Sequence, residues 1–100
     1  MIRVLVADDH PIVRAGIVAL LSDAEDVQVV DAVADGETAV AAAVATRPDI
    51  VLMDLRMPGL DGTAATGRIT AALPATRVVV LTTYESDDAI LEAITAGASG

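Results

Sequence analysis

One hundred residues are enough for one hydrophobic core and too few for two, so residues 1–100 are read as a single domain. The chain is 54% hydrophobic with Tyr84 as its only aromatic residue, so that core must be built from Val, Ile, Leu and Ala. Fifteen acids against six bases, all of them arginine, give a net charge of −9; this balance argues against direct binding of nucleic acid or anionic membranes, which require a cationic surface.

The absence of cysteine removes disulfides, thiol catalysis and zinc–cysteine sites. "MIRVLVADD" reaches acids too early for a secretory leader, and no uncharged run approaches the about 18 apolar residues of a membrane span. The expectation is a soluble, cytoplasmic domain.

In chain order, Ile2 to Ala7 is a continuous β-rich run. From Pro11 to Ser22 the apolar residues Val13, Ile17, Leu20 and Leu21 fall at helical spacing, with Pro11 suited to the first turn. Val27 to Val33 is a second β-branched run, and Gly36 to Arg47 is an alanine-rich helix that stops before Pro48. Ile50 to Met53 reads as a short strand buried on both faces. Asp61 can cap a helix over Gly62 to Ala72, closed by Pro74. Arg77 to Leu81 is a fourth strand. Ser86 or Asp87 would cap a last helix, with Ile90, Leu91 and Ile94 facing the core and Gly97 as its stop.

The order βαβαβαβα predicts an α/β fold, a parallel sheet with right-handed crossovers and helices on both faces. In such sheets the ligand site lies at the carboxyl ends of the strands, near the point where strand order reverses. Asp8 and Asp9 follow the first strand, Asp54 ends the third and Thr82 follows the fourth, so topology alone collects them at one edge.

Three carboxylates held together repel one another and require a proton or a cation. Oxygen donors of high charge select a hard ion, Mg²⁺ or Mn²⁺, and the backbone carbonyl of Arg56 is placed to add a ligand. With the charge neutralised, Asp54 can act as a carboxylate nucleophile toward a phosphoryl group while Thr82 donates its hydroxyl to a phosphoryl oxygen. Simpler roles compete for each residue. An acid at a strand end can be a turn former, and Asp9 can cap the next helix. His10 reads as a solvated residue near a helix start, Met57 and Pro58 as shapers of the loop, and Tyr84 as a loop residue. Asp87 and Asp88 suit a helix start.

"VLVADDHPIVRAGIVALL", "PDIVLMDLRMPGLDG" and "VVVLTTYE…AGASG" together resemble the receiver domain of bacterial two-component response regulators, over the whole of 1–100. The "DDHPIVRAG" and "GASG" wording is most similar to the subfamily with a LuxR-type helix-turn-helix output domain. The resemblance implies a flavodoxin-like doubly wound sheet of order 2-1-3-4(-5). It implies Asp54 as the phosphoacceptor served by a sensor histidine kinase, and Asp8, Asp9, Asp54 and the Arg56 carbonyl as Mg²⁺ ligands. Thr82 matches the switch hydroxyl, while His10 does not match the phosphorylated histidine, which belongs to the kinase. A transcription-regulating, DNA-binding output domain would lie outside this chain.

Members of the family continue into a fifth strand and helix carrying a lysine, and this chain has no lysine. The expectation is therefore a receiver incomplete at its C-terminus, with the fourth strand an apolar open edge that invites dimerisation or swapping. It would accept a phosphoryl group as a signalling domain and not as an enzyme. The alternatives are a Mg²⁺-dependent phosphatase with an aspartyl-phosphate intermediate and a degenerate receiver acting through protein contacts. The phosphatase normally wants a D-x-D arrangement after its first strand, which "ADDHP" lacks.

Overall fold

A computed structural model of the chain describes residues 1–55, 57, 59–81, 97 and 99. Its elements run β1 (Ile2–Ala7), α1 (Pro11–Ser22), β2 (Val27–Val33), α2 (Gly36–Thr46), β3 (Ile50–Asp54), α3 (Gly62–Ala72) and β4 (Arg77–Leu81). The strands form one parallel sheet, as alternation of strands and helices predicts, and its order β2-β1-β3-β4 is the flavodoxin-like one that the family resemblance implies. Because β2 and β3 lie on opposite sides of β1, strand order reverses there. The ends of β1 and β3 therefore flank a crevice.

Register fixes how far each strand reaches. Ala7 stands opposite Met53, and Asp54 stands opposite Leu81. On the other side, Val4 pairs with Val29 and Leu5 with Asp31, a shift of register that leaves Val30 between them.

One face of the sheet presents Leu5, Ala7, Val33, Val51, Met53 and Val78 to Ala39, Ala42 and Ala43 of α2 and to Ala65 and Ile69 of α3. Alanines let α2 approach closely, so a core almost without aromatic side chains still closes. Val4 and Val6, also buried, point the other way by strand alternation, toward α1, which packs on β1 and β2. β3 departs from the expectation of burial on both faces. Val51 and Met53 are buried but Ile50 and Leu52 are only half-buried, because among the described helices only α1 packs on that face and it lies over the β1–β2 half.

Helix ends follow their caps. Asp35 accepts the Thr38 N–H at 2.7 Å and Asp61 accepts the Ala64 N–H at 2.8 Å. α2 ends one residue earlier than expected. Arg47 turns left-handed at φ 47° and donates its N–H to the Ala43 carbonyl. α1 is not capped by Asp9, whereas Asp8 forms a turn by accepting the His10 N–H at 2.8 Å. The N-cap of α1 is His10, with no side-chain cap bond. The α1 stripe is rotated as well: Ile17 and Leu21 lean inward, whereas Val13 and Leu20 are exposed.

The expected open edge of β4 is met at one point, where the Ser99 N–H donates to the Val78 carbonyl at 2.7 Å. The expected last helix, from Ser86 or Asp87 with Ile90, Leu91 and Ile94, and the loop of Tyr84 lie outside the described residues. No described helix is long and apolar enough to cross a membrane.

Candidate functional site

β1 delivers Asp8 and Asp9 to the carboxyl edge of the sheet, and the neighbouring β3 ends on Asp54. Asp8 is held on every side. Its N–H donates to the Val33 carbonyl at 3.0 Å, its carbonyl accepts Arg14 Nη1 at 2.8 Å, and its Oδ1 accepts the His10 N–H at 2.8 Å. Its side chain is 6% exposed, against 13% for Asp54 and 31% for Asp9, so the pocket deepens from Asp9 inward. Asp54 is fixed from behind by α3. A Cβ at Gly62 would strike the Asp54 carbonyl oxygen, and the Gly62 N–H donates to the Leu55 carbonyl at 3.1 Å. Gly36 makes a similar close approach to the Leu60 backbone, setting the start of α2 against the loop after β3.

One oxygen each from Asp8, Asp9 and Asp54 and one ring nitrogen of His10 lie within 4.8 Å of one another. His10 Nδ1 stands 3.0 Å from Asp9 Oδ1, 3.2 Å from Asp8 Oδ1 and 3.8 Å from Asp54 Oδ2. The hydrogen bond with Asp8 and the charge of Asp9 raise the His10 pKa above its ordinary value, and the charges of Asp8 and Asp54 add to this. Asp9 Oδ1 is shielded from solvent and receives no aligned hydrogen bond, so its contact with the imidazole is electrostatic and not directional.

The donor set fits a divalent cation. A buried carboxylate oxygen without an aligned donor, beside two more carboxylates, is the environment that a hard ion satisfies with its charge. Three of the expected residues, Asp8, Asp9 and Asp54, are thus brought together. Thr82 and the Arg56 carbonyl lie outside the described residues. Met57 buries its side chain in the core, Pro58 lies outside the described residues, and Asp61 is a cap as expected.

Sequence reasoning missed three residues. His10 is 66% exposed, as a solvated residue should be, yet its Nδ1 faces the acids. The available signal was its position directly after two strand-end acids. Gly36 and Gly62 were legible only as first helical residues. Their Asp-Gly context marks a helix start but not the backbone that each one touches.

Known proteins similar to this chain carry the same fold. The response regulator receiver domain family matches residues 4–100. The chain is 44% identical over 98 residues to the transcriptional regulatory protein LiaR of Bacillus subtilis, covering 98% of this chain and 46% of LiaR. A two-component response regulator of the LuxR family from Aurantimonas sp. SI85-9A1 superposes with a TM-score of 0.93 at 39% identity, covering all of this chain and 71% of that one. A chain of the CheX–CheY–BeF3–Mg²⁺ complex from Borrelia burgdorferi superposes with a TM-score of 0.90 at 25% identity, covering 98% of this chain and 74% of that one. The chain thus spans about half the length of the curated relative it matches. From its parallel sheet, its acidic crevice and these likenesses, the chain belongs to the response regulator receiver domains of two-component systems.

Proposed function

We propose that Asp54 is the phosphoacceptor of a two-component switch and that Asp8 and Asp9 hold Mg²⁺ or Mn²⁺ beside it. The observation that carries this reading is the convergence of carboxylates from the ends of two adjacent strands to within 4.8 Å. Bound there, the cation would screen the carboxylates from an incoming phosphoryl group and from one another. An Asp54 oxygen then forms a bond to phosphorus as the bond from phosphorus to the kinase histidine nitrogen breaks. The freed imidazole keeps the electron pair and takes up a proton. The product is an acyl phosphate on Asp54.

The Arg56 carbonyl is assigned as a further cation ligand and the Thr82 hydroxyl as a donor to the phosphoryl oxygen. The new group adds about two negative charges at neutral pH. Drawing Thr82 toward them would shift the loop after β4 and bias a surface used for contact with other domains. Asp54 is consumed once per phosphoryl group and regenerated by hydrolysis, so the domain signals rather than turning over a substrate as an enzyme does.

By analogy with relatives described as transcriptional regulators and as LuxR-family members, the output is DNA binding by a separate domain. Residues 1–100 act as the receiver alone. The domain is cytoplasmic, and its partners are a sensor histidine kinase, the output domain and a second receiver in a homodimer or domain swap. This acidic domain makes no contact with DNA itself. The Mg²⁺-dependent phosphatase reading has nothing in the site to favour it.

Incubation with acetyl phosphate and Mg²⁺ tests the assignment. The wild-type chain should gain one phosphoryl group, chelator added beforehand should prevent that uptake, and Asp54→Asn should gain none. Uptake by Asp54→Asn at the wild-type rate would overturn it.

A further inference from the structure

The cation site just proposed contains one donor that a site for a hard ion does not need, the imidazole of His10. We infer that His10 makes this a site of mixed nitrogen and oxygen donors, able to take a borderline transition ion such as Zn²⁺ with His10 Nδ1 as a protein ligand. The inference rests on the proposed cation site and adds a ligand and a second class of ion to it.

Three observations support it. Nδ1 lies 3.0, 3.2 and 3.8 Å from oxygens of Asp9, Asp8 and Asp54, so it already shares their space. Asp9 Oδ1 is shielded from solvent without an aligned donor, which leaves its lone pairs available to an ion on the imidazole side. The His10 backbone is anchored at the N-cap of α1, with its N–H on Asp8 Oδ1, while 66% of the side chain is exposed. The ring can therefore turn away without disturbing the core.

Ion chemistry decides which position the ring takes. Mg²⁺ prefers oxygen and keeps several waters, so the imidazole gains nothing by remaining. Zn²⁺ binds imidazole strongly and accepts a compact set of four protein donors. An all-carboxylate site would also bind Zn²⁺ more tightly than Mg²⁺, so the discriminating quantity is how that ratio changes when His10 is removed.

The test uses the 100-residue chain without a histidine tag, since His10 is its only histidine. Calorimetric titrations with Zn²⁺ and with Mg²⁺, at one fixed pH, compare the wild type with His10→Ala. The expected result is a loss of about tenfold or more in Zn²⁺ affinity and a change of no more than about twofold for Mg²⁺. In the ¹⁵N spectrum of the wild-type imidazole, Zn²⁺ should move the Nδ1 resonance to a ligated position and Mg²⁺ should not. Equal effects of His10→Ala on both ions, or an Nδ1 resonance indifferent to Zn²⁺, would overturn this inference and leave the Mg²⁺ site standing. Failure of the wild type to bind either ion would overturn both.

Discussion

Asp9 keeps an oxygen away from solvent without an aligned hydrogen bond, beside the carboxylates of Asp8 and Asp54. Without a cation this arrangement stores repulsion, offset in part by His10 when its ring is protonated. At alkaline pH, where the imidazole is neutral, Asp9→Asn should stabilise the metal-free chain by about 1 kcal/mol. The same change should shrink the stabilisation that added Mg²⁺ gives. Urea unfolding with a chelator and then with Mg²⁺ would show both effects; an Asp9→Asn chain less stable than wild type without metal would contradict this account of the site. Asp8, Asp9 and Asp54 were legible in the sequence because strand alternation and parallel topology dictate where strand ends fall. The direction of the His10 ring was not, since it depends on the extended N-cap backbone of α1 and on the Asp8 oxygen that holds it.

The helices position the site through backbone contacts and caps. Gly62 opens α3 so close to the Asp54 carbonyl that a methyl group has no room. Gly62→Ala should therefore destabilise the fold by about 1–3 kcal/mol and slow phosphoryl uptake in the fraction that remains folded; unchanged stability in thermal unfolding would refute the close approach. At the start of α2, hydrogen bonds from the backbone and side chain of Thr38 hold the Asp35 carboxyl below its ordinary pKa. The ionised form is thus favoured in the folded state. Its contribution is complete above the unfolded carboxyl value and disappears as pH falls through the lower folded value. Asp35→Asn should flatten the acid limb of the stability curve in that window, and an unaltered limb would count against the cap. Element boundaries were readable at Asp61, Pro11 and Pro74, whereas Pro48 marked the end of α2 only to within one residue. The facing of α1 was not readable, because "PIVRAGIVALLS" carries apolar residues around its whole circumference and spacing alone does not select Ile17 and Leu21 over Val13 and Leu20.

At the scale of the molecule, one sheet divides the labour. Its apolar face, packed on the alanines of α2 and α3, supplies the dry core, while its carboxyl edge concentrates negative charge in a chain already at −9. Stability and function are thereby linked, since a cation that binds only the folded state stabilises it in proportion to the logarithm of its concentration. The parallel sheet was legible because strands alternate with helices, whereas its strand order followed only from the family resemblance. The half-burial of β3 was not legible, because a run such as "IVLM" shows that a strand is apolar but not how many helices cover it.

A Mg²⁺ titration of the ¹⁵N-labelled chain followed by amide chemical shifts tests most directly whether carboxylates from two strand ends share one divalent ion. The account predicts saturable shifts concentrated at residues 8–10 and 54–55, with the response abolished in an Asp8→Asn, Asp54→Asn double variant that retains the wild-type fold. Saturable shifts centred instead on the opposite edge of the sheet, around Arg3, Asp49 and Arg77, or none at millimolar Mg²⁺, would contradict it.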